Sequence, residues 1–146
     1  MVDALRRAAR MVTASGLIVD VHPLGARVPV QVGDAEVGEV EDHDAPVRHA
    51  AADAALPNAV ADGLLTLVGA VDFDFYTYGD TIEELRDYIA ETWQSGRIDD
   101  RTVVRARSVL RSAPVGVRPR LLERVRLTTL RPRATTAAAS TRSREA

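Results

Sequence analysis

Residues 4–23, ALRRAARMVTASGLIVDVHP, decide the fold because they join a helical pattern to an apolar strand. Leu5, Ala8 and Val12 recur at helical spacing, and Gly16 follows where a helix end favours a residue that tolerates positive φ. Residues 17–19 then run without polar alternation, which is typical of a strand covered on both faces. The stretch predicts a helix, a glycine stop and a strand inside a sheet.

The composition indicates one folded domain that uses no cysteine chemistry. The chain has 146 residues, of which 46% are hydrophobic, so it can build a core of ordinary size. The absence of cysteine excludes a disulfide framework, a thiolate zinc site and a cysteine nucleophile. No apolar run approaches the roughly 20 residues of a membrane span. We therefore expect a soluble, cytoplasmic protein with no membrane partner.

Charge is divided unevenly along the chain, although the net charge is only −2. Residues 34–100 carry 17 carboxylates and three arginines, whereas residues 101–146 carry 12 arginines and two glutamates. The arginines that could bind phosphates are Arg118, Arg120, Arg124, Arg126, Arg131 and Arg133. Because the acidic segment can neutralise them and no aromatic residues are interleaved for base stacking, nucleic acid is not the expected partner.

Turn residues separate the predicted elements in the middle of the chain. Alternating valines on each side of Gly33 predict a hairpin, and a helix capped by Asp44 is predicted to end at Gly63. Residues 64–78 follow with a period of two for most of their length. They predict a long strand with one apolar face and one polar, aromatic face.

The last third of the chain predicts two helices and one strand. The first helix begins at a capping box formed by Asp80 and Glu83, and the second begins near Asp99. The final strand is expected over residues 121–130, which closes a domain spanning residues 1–130. Residues 131–146 contain no large apolar side chain, so we expect a disordered tail.

The order of these elements resembles the C-terminal part of a class I S-adenosylmethionine-dependent methyltransferase. The opening helix, with Arg10-Met11-Val12 and Gly16, resembles the late helix and turn that precede the family's fifth strand. The segments FDFYTY (residues 73–78) and RVRLTTL (residues 124–130) resemble its sixth and seventh strands, an antiparallel pair at one edge of the sheet. The resemblance extends from residue 4 to about residue 131.

This resemblance implies an α+β fold that forms a partial Rossmann-like methyltransferase unit. We expect a mixed, largely antiparallel sheet of about five strands with helices mainly on one face. The family holds its cofactor with a glycine-rich loop after the first strand and an acidic residue after the second, and both would precede residue 4. Gly33 and Gly38 span a hairpin and do not supply that loop. We therefore expect no cofactor on this chain alone, and S-adenosylmethionine only if a partner supplies the missing half.

The same resemblance implies a partner protein. In the complete fold the strand at residues 17–21 has neighbours on both sides, and one of them is missing from this sequence. An open apolar strand edge favours pairing with another strand. The expected partners are a second copy in a homo-oligomer or a separate chain that carries the N-terminal methyltransferase half.

Four residues are candidates for facing a substrate. Asp20 and His22 stand at the carboxyl end of the first strand, where open α/β sheets bind ligands and where the family's substrate lies nearby. Tyr76 and Tyr78 lie on the polar, aromatic face of the long strand. That face also holds two carboxylates about 7 Å apart, which could perform acid–base chemistry or simply solvate the sheet; they are Asp72 and Asp74.

No catalytic residue, cofactor-binding residue or metal ligand is assigned from the sequence. His49 and Asp53 form one i, i+4 pair near His43 and Asp44, which is too small a set to predict a metal site. The expected function is that of a methyltransferase-like protein, truncated or split, which is not catalytically competent alone. The alternative is a non-enzymatic protein-interaction module.

Overall fold

The computed structural model describes residues 2–13, 15–25 and 27–133. The helices are α1 (Val2–Met11), α2 (Ala45–Ala61), α3 (Ile82–Thr92) and α4 (Asp100–Ser112). The strands are β1 (Ile18–Pro23), β2 (Pro29–Val32), β3 (Ala35–Asp42), β4 (Leu65–Tyr78), β5 (Gly96–Ile98) and β6 (Pro119–Pro132). These helices and strands form a single open sheet with helices packed on it, which confirms the α+β class.

Strand β6 is the centre of the sheet. Strand β4 pairs with one of its edges over nearly its whole length, while β1 and β2 share the other edge. Strand β3 follows β2, and β5 follows β3. Every pairing among the described strands is antiparallel. Leu127 of β6 therefore lies between Val21 of β1 and Val71 of β4.

The helices pack in two pairs on opposite faces of β6. Leu121 belongs to a core formed with α3 and α4, whereas Leu130 belongs to a second core formed with α1 and α2. Side chains nine positions apart on a regular strand point to opposite faces. The helices are thus shared between the two faces, where the sequence had predicted them mainly on one, because β6 is long enough to carry a core at each end.

The hairpin turn and the cap of α4 lie where the sequence predicts them, whereas the caps of α2 and α3 are made by other residues than predicted. The hairpin is confirmed, with Gly33 at a φ of +59°, and Asp99 caps α4 by accepting from the Thr102 amide at 2.7 Å. Helix α3 is capped by Thr81 rather than by Asp80. At the start of α2 the carboxylate of Asp42, and not that of Asp44, accepts hydrogen bonds from the free backbone amides of Asp44 and Ala45.

Strand β1 differs from its prediction because only one of its faces is covered. Ile18 is buried, but Val19 and Val21 are each 57% exposed. Among the described strands only β6 pairs with β1, so its other edge is open. Among the described residues, one edge of β1 and the apolar face next to it are therefore both uncovered.

The carboxyl end of β6 extends past the predicted domain boundary at residue 130. Arg131 and Pro132 pair with Thr66 and Leu65 of β4, because the long β4 strand offers them an edge. The predicted disordered tail otherwise falls on residues 134–146, which lie outside the described residues.

Candidate functional site

A cavity of about 680 Å³ lies between α2 and the sheet. Helix α2 crosses the face of the sheet that carries the even-numbered residues of β1 and β6. Most of the cavity wall is apolar, and it includes Leu56 and Val60 of α2, Leu67 and Ala70 of β4, and Leu130 of β6. Its volume and apolar lining fall in the range typical of small-molecule sites.

His22 provides the first polar group of this cavity. Its Nδ1 atom lies 2.5 Å from Oδ2 of Asp20, two residues earlier on the same face of β1. Its Nε2 atom lies 3.4 Å from Oδ1 of Asp53 on α2. The imidazole side chain is only 13% exposed, so the two carboxylates fix the ring from both sides.

Arg126 and Asp72 form a second polar group at the cavity wall. The guanidinium donates two hydrogen bonds, from Nε at 2.7 Å and from Nη2 at 2.8 Å, to the two carboxylate oxygens. The bond from Arg126 lowers the pKa of Asp72 below its ordinary value. Because the pair is bidentate, the charge of Arg126 is already compensated within the protein.

Thr128 is the third polar group and has no partner. It lies between Asp20 of β1 and Ala70 of β4, and it lines the same cavity. Thr128 is 4% exposed, and within the described residues its Oγ1 is the buried side-chain atom that lacks a hydrogen-bond partner. Such an unsatisfied hydroxyl is costly in a protein interior.

The chemistry that these groups can perform is recognition and proton transfer. A carboxylate can only accept from the ring, so Asp20 holds a proton on Nδ1 of His22, and in the neutral ring Nε2 is then an acceptor. An imidazole oriented in this way can act as a general base toward a hydroxyl group.

The four predicted substrate-facing residues are divided by the structure. His22 lines the cavity and Asp20 contacts it from the same strand. Tyr76 and Tyr78 lie on the same sheet face but at its other end, where they stack with each other and with arginines. The guanidinium of Arg120 lies 4.5 Å from the Tyr76 ring centre, and that of Arg118 lies 5.1 Å from the Tyr78 ring centre.

The other candidate residues have structural partners. Asp74 accepts from Arg124 at 2.8 Å, as Asp72 does from Arg126, so the two carboxylates serve cross-strand ion pairs. His49 lies 3.3 Å from the carbonyl oxygen of Pro23. In residues 2–13, 15–25 and 27–133 no three histidine or carboxylate side chains converge as a metal site requires.

Two residues of the cavity site were missed by sequence reasoning. The sequence identified Asp53 only as the i, i+4 partner of His49. Its approach to His22 depends on how α2 crosses the sheet. Thr128 carried no signal at all, since a threonine in a strand is ordinary. Only the tertiary structure reveals that its hydroxyl is enclosed.

Within the described residues, Gly33 and Gly38 do not form a loop that could hold S-adenosylmethionine. Gly33 forms the hairpin turn. At Gly38, an added Cβ would lie 2.0 Å from Oγ1 of Thr102, so this glycine allows α4 to pack on β3 and does not face a ligand. Neither glycine provides the backbone approach that a cofactor loop needs.

A second feature is an exposed apolar area on the face of the sheet opposite the cavity. Pairing places six apolar side chains of β1, β6 and β4 on this face, and we call them the open patch: Val19, Val21, Val71, Phe73, Phe75 and Leu127. Five of the six are 37–57% exposed. Helices α3 and α4 cover this same face only at the other end of β6.

A half-buried carboxyl group borders the open patch. Glu123 lies opposite Phe75 and lines a smaller cavity of about 400 Å³ together with His49 and Trp93. Burial raises the pKa of Glu123 above its ordinary value, and the nearby His49 opposes this rise. Removing further water from this carboxyl would favour its neutral form still more.

Comparisons of the chain with protein-family models, with curated proteins and with solved structures gave no match. None of the helices in the described residues has the length and apolar character that crossing a bilayer requires. The cavity and the open patch are therefore the features of the structure that bear on function.

Proposed function

We propose that this chain is a methyltransferase-like unit that functions together with further polypeptide carrying the cofactor-binding half. That polypeptide is either another part of the same protein or a separate chain. The observation that carries this proposal is the open side of β1, where a strand edge unpaired among the described strands adjoins the open patch. Exposed apolar areas of this kind mark interaction surfaces.

The strand arrangement supports the same proposal. The resemblance implies that the segments in β4 and β6 pair antiparallel at one sheet edge, and they pair in this way with β4 outermost. Strand β1, which resembles the family's fifth strand, lies on the other side of β6. The free edge of β1 is therefore where a preceding strand of a complete unit would pair.

The chemistry of the open patch favours a polypeptide occupant. None of its six side chains is charged, and the backbone groups on the outer edge of β1 have no strand partner among the described residues. An added strand would satisfy those groups, and an added apolar layer would cover the valines. The occupant to which we commit is the cofactor-binding half.

Calorimetry with S-adenosylmethionine tests the proposal. The 146-residue chain alone is expected to show no saturable binding, and micromolar affinity would contradict this. Co-expression with a polypeptide that carries a G-x-G loop, encoded before or beside this chain, is expected to give a one-to-one complex that binds the cofactor.

A matched pair of variants makes the co-expression experiment specific. Val21→Lys places a charge in the open patch and should abolish the complex. Val104→Lys changes a valine of similar exposure, 61%, on α4 and should leave the complex intact. Equal behaviour of the two variants, or no complex with any such half, would overturn the proposal.

A second candidate function, a non-enzymatic interaction module, is favoured by β4. This strand has 14 residues, and its outer edge has no strand partner among the described residues. Val68, at the irregularity in its pairing, is 53% exposed, and Tyr76 and Tyr78 are also partly exposed. Two copies could pair through this edge and continue the sheet.

Sedimentation separates the two candidates. A dimer built through β4 should dissociate with Val68→Lys, because charged residues on an edge strand oppose pairing, and should be unaffected by Val21→Lys. Association through the open side of β1 should show the reverse pattern. A discrete dimer that only Val68→Lys dissociates would favour the interaction module.

A further inference from the structure

The cavity under α2 contains one polar atom without a partner, and beside it a histidine nitrogen whose nearest partner is a carboxylate. Thr128 Oγ1 is enclosed without a partner, and Nε2 of His22 faces Oδ1 of Asp53 at 3.4 Å. When the ring of His22 is neutral and carries its proton on Nδ1, Nε2 of His22 and Oδ1 of Asp53 are both acceptors, so no hydrogen bond joins them. A donor placed near them would satisfy this form of the ring, and the Thr128 hydroxyl lacks a partner whatever the charge of the ring.

The charges around the cavity indicate an uncharged ligand. Asp53 lines it and Asp20 contacts His22 beside it, while the charges of Arg126 and Asp72 compensate each other. A carboxylate or phosphate would therefore meet uncompensated negative charge in a largely apolar space. The remaining polar groups can satisfy one hydroxyl.

We propose that this cavity binds an uncharged small molecule that has an apolar body and one hydroxyl group. The hydroxyl donates to Nε2 of His22 and accepts from the Thr128 hydroxyl, whose positions are diagonal neighbours on one sheet face. The apolar body lies against Leu56, Val60 and Leu130. This site is formed by this chain alone, so it does not depend on the proposed cofactor half.

A matched pair of probes tests the role of the hydroxyl. Binding of 2-naphthol and of naphthalene to the full chain is measured by calorimetry and by amide chemical shifts. We expect 2-naphthol to bind saturably and naphthalene to bind about tenfold more weakly, because one hydrogen bond is lost. The anionic 2-naphthoate should not bind saturably.

The location of binding is tested by the amide shifts and by a filling variant. The shifts caused by 2-naphthol should map to Val60, Ala61 and Ala70 around the cavity and not to the open patch. Ala70→Leu should fill the cavity and abolish binding. Val71→Leu, at the next residue on the opposite face of β4, should leave the affinity unchanged.

Two threonines of β6 provide a matched control for the polar contact. Thr128→Val keeps the side-chain shape and removes the unsatisfied hydroxyl, so 2-naphthol should bind about fivefold more weakly while the fold is retained. Thr129→Val, whose side chain points to the opposite face, should bind as the parent does. Each variant is first shown to be folded by circular dichroism.

Four results would overturn the proposal. The first is no saturable binding of 2-naphthol at millimolar concentration, and the second is equal affinity for 2-naphthol and naphthalene. The third is equal affinity of the Thr128→Val and Thr129→Val variants for 2-naphthol. Shifts confined to the open patch would instead assign the binding to that exposed surface and would also contradict a cavity site.

Discussion

Asp42 joins three parts of the chain through one carboxylate. It accepts from the amides of Asp44 and Ala45 at 3.1 Å each, from the Ser95 hydroxyl at 2.6 Å, and from Arg48. Burial alone would raise the pKa of Asp42, but the hydrogen bonds from Ser95 and Arg48 outweigh it and lower the pKa. The ionised form is therefore stabilised by folding.

Asp42→Asn should lower the free energy of unfolding by about 1–3 kcal/mol at pH 7, because charge-assisted bonds to the start of α2 are lost. The folded pKa of Asp42 is lowered, so its contribution is present above its ordinary pKa and is lost as the pH falls through the folded pKa. Urea unfolding at pH 7 and pH 3 should show a smaller difference between parent and variant at pH 3.

The control for this prediction is Asp44→Asn. Asp44 is the N-cap residue of α2, but its side chain makes no capping bond. Its substitution should change the free energy of unfolding by less than about 0.5 kcal/mol. A larger effect at Asp44 than at Asp42 would contradict the prediction that the Asp42 carboxylate stabilises the start of α2.

Thr128→Val should raise the free energy of unfolding of the ligand-free protein by about 1 kcal/mol. A buried hydroxyl without a partner costs more than a methyl group of the same shape. Thermal or urea unfolding measures the change, with Thr129→Val as the control. A loss of stability at Thr128→Val that exceeds the loss at Thr129→Val would mean that the hydroxyl is satisfied after all.

At the level of single residues, two of the candidates chosen from the sequence, Asp20 and His22, contact each other in the structure, and His22 lines the cavity. Asp20 and His22 could be chosen because the end of an apolar strand is visible in the sequence. The contact between His22 and Asp53 joins residues far apart in the chain, so no local pattern encodes it. The pairing of Asp72 and Asp74 with arginines likewise depends on the register between β4 and β6.

At the level of elements, the packing of α4 on β3 depends on the lack of a side chain at Gly38. A Cβ at Gly38 would lie 2.0 Å from Oγ1 and 2.7 Å from Cγ2 of Thr102, which is itself only 4% exposed. Thr102 is enclosed and cannot move aside easily. The position therefore requires a glycine for close approach and not for its backbone conformation.

Gly38→Ala should lower the free energy of unfolding by about 1–3 kcal/mol through overpacking. The double variant Gly38→Ala with Thr102→Ala should recover part of the loss, because the clashing atoms are removed. Gly69→Ala is the control, since a Cβ there meets no atom within 4 Å. Equal losses at Gly38 and Gly69 would contradict the packing argument.

Most elements could be predicted from the sequence because their signals are local. Periodicity, caps and glycines identified the long strand β4, the hairpin and α4. The start of α3 was placed one residue early, because Asp80 and Thr81 are both suitable caps and only the structure distinguishes them. Strand β5 was missed, since its three residues are too few for a periodic pattern.

At the level of the whole molecule, the two helix pairs leave part of the sheet uncovered. The apolar run at residues 17–19 predicted a strand covered on both faces, and this was wrong for the isolated chain because α1 and the second half of α2 cover β1 on the opposite face. Sequence shows that a residue is apolar but not what covers it. The open patch is consequently a property of the assembled fold.

The most direct test of the open patch as a docking surface is sedimentation velocity on the isolated chain and its variants. Without its occupant, the parent should self-associate at tens of micromolar concentration, as exposed apolar areas do. Val21→Lys should be monomeric with an unchanged melting temperature, and Val104→Lys should behave as the parent. A parent that remains monomeric at every concentration, with all three proteins indistinguishable, would contradict the account.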